Sequence, residues 1–289
     1  MHKIVQFTHP GAEHGPDKGK KTHKSWNTGK HKRKFLNAYG KYVQGDTLKE
    51  GNLLFWGEWE PPSEIIKLDN QGNKLMPKWL HKPYLPATLP KSTGYQQSYQ
   101  NTDPLVFGEH FRYFVCKQFK PKSGKETALA KLERGSIILF GSTKNANTKD
   151  AFFQLDTVFV VSDYIEYDPS DENALSNYNI DGYRDFVFKM AFPEPFKHSL
   201  KLRLYIGATY DNPVSGMYSF APARLYENNK HGFPRVKLKD LKYLTNNLNA
   251  GPKITDVEEK DVIEFWKKIR NISRDEGCVE GVQFYIERR

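Results

Sequence analysis

The chain has 289 residues, 38% hydrophobic and 14% aromatic, with 21 Gly and 17 Pro. That length admits one large domain or two small ones, and the Gly and Pro content favours a β-rich, loop-rich fold over a helical bundle. A net charge of +10 points to a polyanionic partner, nucleic acid first, while two distant cysteines, Cys116 and Cys278, argue against a disulfide framework and a CxxC zinc site.

In chain order, Lys3 to Phe7 predicts a first strand. The loop THPGAEHGPD follows, with His9, Glu13, His14 and Asp17 as potential metal or acid–base groups. Its H-x-x-x-E-H spacing matches neither HExxH nor HxxEH, so no metal site is expected. From Lys18 to Lys34 come eight Lys or Arg and no acid, with Trp26 among them. From His31 onward, HKRKFLNAYGKYV predicts a short helix or turn packing Phe35, Leu36 and Tyr39. Gly51 then opens GNLLFWGEWEPPSEII, an apolar strand running into a turn. Along that strand Trp56, Glu58 and Glu60 share one face and Trp59 takes the other, unless Gly57 bulges the chain. Trp56, continuing the apolar run, is expected to be the more buried tryptophan.

Residues 69–104 are polar and proline-rich, and predict a long insertion held down by Trp79, Tyr84, Tyr95 and Tyr99. Phe111–Gln118 predicts a strand and Thr127–Leu132 a helical turn. Residues 135–141 and 152–161 are both rich in Ile, Val and Phe and are joined by a short polar connection. They predict adjacent antiparallel strands, because the connection is too short for a packed crossover helix. Further strands are expected at Phe186–Phe192, Leu200–Ile206 and Val282–Ile286, an extended segment at Met217–Tyr226, and a short helix at Leu238–Leu248. Thr255 with Glu258 reads as a capping box for a helix over Val257–Ile269.

Gly51–Ile66 and Arg134–Tyr167 share a form: a glycine, an apolar strand and a polar turn, the second stretch adding a long apolar strand that ends in a Ser/Asp turn. This form resembles the small barrels of the PUA-like superfamily, such as ASCH, EVE and YTH domains. The resemblance covers only those two stretches. It implies a barrel core and binding of RNA or modified bases. The expected architecture is therefore α+β and β-rich: a single large domain, 1–289. Within it lies a PUA-like barrel core, about 1–167 with the insertion 69–104, then a helix–strand extension, about 168–289.

Three groups carry candidate chemistry. Lys18, Lys20, Lys21, Lys24, Lys30, Lys32, Arg33 and Lys34 suit phosphate contacts, with Trp26 placed among them to stack on a base. Trp56, Glu58 and Trp59 could wall a base pocket, the carboxylate accepting from an exocyclic amine. His9, Glu13, His14 and Asp17 are the weak catalytic candidates. No P-loop, dinucleotide fingerprint or GxSxG is present, and no cofactor is expected. No apolar run approaches the ~20 residues of a membrane span, and MHKIVQF lacks signal-peptide form, so a cytoplasmic location without a membrane partner is expected. The favoured function is nucleic-acid binding with recognition of a modified or flipped base. The alternatives are an enzyme acting on nucleotides or nucleic acid and a basic interaction subunit of a larger complex.

Overall fold

The computed structural model describes residues 1–69, 72–90, 99–178, 182–192, 196 and 200–289. In chain order the strands are β1 (His2–Thr8), β2 (His23–Lys24), β3 (Lys34–Gln44), β4 (Thr47–Gly57), β5 (Ser63–Lys67) and β6 (Trp79–Leu85). Short β7 (Arg112–Tyr113), β8 (Phe119–Lys120) and β9 (Lys125–Glu126) follow. The second half supplies β10 (Ile137–Lys144), β11 (Phe152–Tyr167), β12 (Leu202–Gly207), β13 (Ala221–Leu225), β14 (Val236–Leu238) and β15 (Gly251–Val257). The long helix Glu259–Asp275 precedes β16 (Val279–Phe284) and β17 (Glu287–Arg288).

One mixed sheet runs β15-β1-β10-β11-β12-β7, with β14 also on β11. β10 and β11 pair antiparallel from Ile137↔Val160 to Lys144↔Phe152, as their sequence predicts. β1 lies parallel to β10. The second sheet runs β16-β13-β4-β3-β6-β5-β2, and β16 reaches β3 as well. Each sheet separates the same two cores. In β10, Ile138 and Phe140 face one core, and Ile137 and Leu139 the other; in β4, Leu53 and Phe55 alternate likewise with Leu54 and Trp56. Covering both faces explains why these strands are continuous apolar runs instead of alternating ones. The long helix closes one core with Val262, Phe265, Trp266 and Ile269, a helical stripe.

Several expectations change. The stretch after His31 is β3, not a helix, because β4 and β6 flank it on both edges and its alternate side chains enter the two cores. The segment 69–104 is not simply an excursion: β6 pairs with β5 and with β3 inside the second sheet. Tyr95 and its neighbours 91–98 lie outside the described residues. Only Arg112–Tyr113 of the expected Phe111–Gln118 strand forms. The Asp103 carboxylate takes the N–H groups of Phe114, Val115 and Cys116 and pulls that backbone out of the ladder. Phe186–Phe192 lies in a helical run, Arg184–Phe188 and Lys189–Ala191, extending to its last residue as a cap. After β14 the chain turns instead of forming a helix, and Gln6 bonds both backbone groups of Thr245 there. Thr255 stays in β15 and Glu258 makes no side-chain cap, so the long helix starts without a capping box. Strands of the extension 168–289 join both sheets, β12 pairing with β11 and β13 with β4. Among the described residues no helix is long and apolar enough to cross a membrane.

Candidate functional site

The register of the β3–β4 hairpin builds the site. Lys34 pairs with Gly57, so residues just before β3 meet residues just after β4. His31 and Arg33 therefore stand beside Glu58 and Glu60. The i, i+2 spacing of the two glutamates on extended chain directs both carboxylates the same way. The end of β1 delivers His9, whose N–H donates to the Gly141 carbonyl. β11 contributes Asp156, and Arg235 comes from the residue before β14.

The result is a polar cluster inside the fold. His31 Nδ1 lies 2.9 Å from Glu60 Oε1 and 3.3 Å from Glu58 Oε1. Glu58 Oε2 accepts from Arg33 at 2.7 Å and lies 3.1 Å from His9 Nδ1. Arg33 also faces Asp156 at 3.9 Å, and Arg235 Nε reaches Asp156 at 3.2 Å. His14 Nε2 is 4.0 Å from Glu60 Oε2, and neither atom has a hydrogen-bond partner among the described residues. The His81 ring joins Ser63 Oγ at 2.8 Å to the His14 carbonyl at 3.2 Å. Glu58, Glu60, Arg33, Lys34, Asp103, Asp156 and Arg235 are all buried. Ionisable groups are rarely taken out of water unless paired, and such density in one place makes the cluster a candidate site.

The electrostatics follow from the neighbours. Burial alone would lower the His31 pKa, but the Glu58 and Glu60 carboxylates overcome it and raise it to about 10. Burial would raise Glu58, yet Arg33, His31 and His9 hold it well below the usual carboxylate range. Burial and the cations around it push His14 down to about 3. His14 is therefore neutral at pH 7, and its contact with Glu60 is not an ion pair. Burial also raises Asp103 to about 7 and lowers Lys34 to about 7.

The structure divides the sequence candidates. Of the catalytic four, His9 and His14 enter the cluster. Glu13 instead accepts from the backbone of Lys78 and Trp79, and Asp17 pairs with Lys24 at 2.6 Å. Of the basic run, Lys18, Lys20, Lys21 and Lys30 are exposed and Lys24 and Lys32 are partly so. Arg33 and Lys34 are fully buried, so their cations end on Glu58 and on the Pro61 carbonyl, away from any phosphate at the surface. Trp26 is 6% exposed and donates to the Gln100 carbonyl. Its ring meets Tyr99 edge-on, beside a cleft of about 570 Å³ lined also by Lys24, Thr28 and Leu89.

Trp56 and Trp59 are packed into the cores and do not wall an open pocket. Trp56 bonds the Phe233 carbonyl beneath the Arg235 guanidinium, and Trp59 abuts Phe107. Trp59, at 0% exposure against 5%, is the more enclosed of the two. The glutamate between them points into the polar cluster. Sequence reading missed His31 as a site residue, along with Asp103, His81 and Arg235. The only signal was the Glu58/Glu60 spacing, because their partners come from distant segments.

No protein-family model, curated protein or solved structure matches the chain.

Proposed function

We propose that the chain is a cytoplasmic nucleic-acid-binding protein whose contact surface is the lysine-rich loop between β1 and β3. One observation carries this reading: Lys18, Lys20, Lys21 and Lys30 are all exposed, and none forms an ion pair with a described residue. Unpaired surface cations in one loop suit a phosphate backbone. The adjoining cleft adds Lys24, Trp26 and Tyr99, where an aromatic edge is available to a base. That cleft takes the place of the pocket expected at Trp56 and Trp59. The resemblance of Gly51–Ile66 and Arg134–Tyr167 to PUA-like barrels supports the same reading, extended to a modified or flipped base in the cleft. The two cysteines are free, which suits a reducing compartment.

The test is the variant with Lys18, Lys20, Lys21 and Lys30 changed to Glu. Binding of single-stranded DNA and RNA oligonucleotides, followed by fluorescence anisotropy at several salt concentrations, should weaken irrespective of sequence. The slope of log affinity against log salt should flatten by about 0.7 for each phosphate that is no longer neutralised. Equal affinity and slope in wild type and variant reject the reading.

A second reading rests on a different observation. His9, His14 and His31 converge with Glu58 and Glu60, as an enzyme acting on nucleotides or nucleic acid would require. Assays of oligonucleotide and nucleotide turnover by wild type and His31→Asn separate it from binding alone.

A further inference from the structure

We infer that His31, Glu58 and Glu60 form a binding site for one divalent transition-metal ion, of the manganese or zinc kind. The inference rests on side chains inside the fold and does not depend on nucleic-acid binding.

Spacing comes first. One donor atom from each residue lies within 4.8 Å of the others. Nδ1 of His31 stands 2.9 Å from Glu60 Oε1 and 3.3 Å from Glu58 Oε1. Neighbouring donors on an ion with bonds of ~2.1 Å are ~3.0 Å apart in octahedral and ~3.4 Å apart in tetrahedral coordination. The two distances from His31 hold that spacing, and the two carboxylates lie within 4.8 Å of each other. A mixed imidazole and carboxylate set favours manganese, iron or zinc over calcium, which takes oxygen ligands.

An independent observation points the same way. Glu60 Oε2 and His14 Nε2 are buried and carry no hydrogen bond from a described residue, although they face each other at 4.0 Å. Buried polar atoms nearly always have a partner. The enclosed Glu60 carboxylate thus keeps one oxygen, Oε2, without a donor among the described residues and available to a cation.

The surroundings hold the ligands in place. Arg33 grips Glu58 Oε2, and the Asp103 N–H reaches Glu58 Oε1 at 3.3 Å. Around Glu60, its N–H donates to Thr102 Oγ1 at 3.0 Å and its carbonyl accepts from the Asn27 N–H at 2.8 Å. Such outer contacts fix ligand orientation at metal sites. Access is one-sided: the His31 side chain is 35% exposed, while Glu58 and Glu60 are sealed. An ion there would keep a coordination position toward solvent for water or an anionic ligand.

The competing view is a purely structural pairing of protonated His31 with two carboxylates. Isothermal titration calorimetry of Mn²⁺ and of Zn²⁺ into the chelator-stripped full chain decides between them. The inference expects one ion per chain. His31→Asn and Glu60→Gln should each weaken binding by about tenfold or more. Asp17→Asn, whose carboxylate is engaged by Lys24 and Ser25, serves as the control and should bind like wild type. Failure of the wild type to bind either ion stoichiometrically overturns the inference, as does a folded His31→Asn that binds as tightly. Near-UV circular dichroism reports folding. If Glu60→Gln unfolds, His31→Asn alone decides, because His31 lies at the open edge. Oligonucleotide binding does not enter this experiment, so its outcome leaves the reading of the lysine loop to its own test.

Discussion

Arg33 donates to Glu58 across 2.7 Å with both side chains sealed from solvent, and the same guanidinium faces Asp156. A run of cations that looks like a solvated surface in sequence thus sends one member into the core to neutralise two acids. Removing one partner from such a pair strands the others uncompensated. Arg33→Met should therefore destabilise the chain by about 3–5 kcal/mol in denaturant unfolding. Glu58→Gln should cost a comparable amount, and the double variant less than the sum. Additive losses would show that the two side chains are not energetically coupled.

Lys34 gives a pH-dependent prediction. Its ammonium is buried and donates to the Pro61 carbonyl, and burial lowers its pKa from 10.5 to about 7. Between pH 7 and 10.5 the unfolded chain therefore holds this proton more tightly than the folded chain. Stability due to Lys34 should rise with pH through that window. Lys34→Met lacks the group and should be the more stable form near pH 7, with wild type closing the gap by pH 10.5. Thermal unfolding of both proteins across the window checks this, and parallel curves would place the Lys34 proton elsewhere.

Three buried tryptophans separate core packing from the cleft. Trp59→Ala and Trp56→Ala should each cost about 3–5 kcal/mol of stability, because both rings fill enclosed volume. Oligonucleotide affinity should then fall only through the smaller folded fraction. Trp26, 6% exposed and packed in the same core as Trp59, should also lose stability on truncation, but its ring in addition lines the open cleft beside Lys24 and Tyr99. Trp26→Ala should reduce affinity by about 1–3 kcal/mol measured on folded protein, the usual worth of one stacked base. A loss confined to Trp56 or Trp59 would return the base to the pocket between them.

Glu13 secures β6 and not the polar cluster. Its carboxylate accepts the N–H groups of Lys78 and Trp79 where β6 begins. Glu13→Gln should leave metal titrations unchanged and increase amide exchange at Lys78 and Trp79. Slow exchange at both positions in the variant would assign their protection to another acceptor.

Some of this was legible in the chain alone. The runs 135–141 and 152–161 carried their pairing locally, because a short polar connection between two Ile/Val/Phe segments leaves only an antiparallel hairpin. The i, i+2 spacing of Glu58 and Glu60 set their common direction, since side chains alternate along extended backbone. The surplus of positive charge was a matter of counting. What surrounds those glutamates was decided only by the tertiary structure. His9, His31, Arg33, Asp103 and Asp156 reach them through strand ends and loops distant in sequence, and no local pattern encodes a meeting of that kind. Burial of Arg33 and Lys34 was settled in the same way: sequence showed two more cations in a basic run, whereas β3 begins there inside the second sheet between β4 and β6, with acids and a carbonyl positioned to receive them.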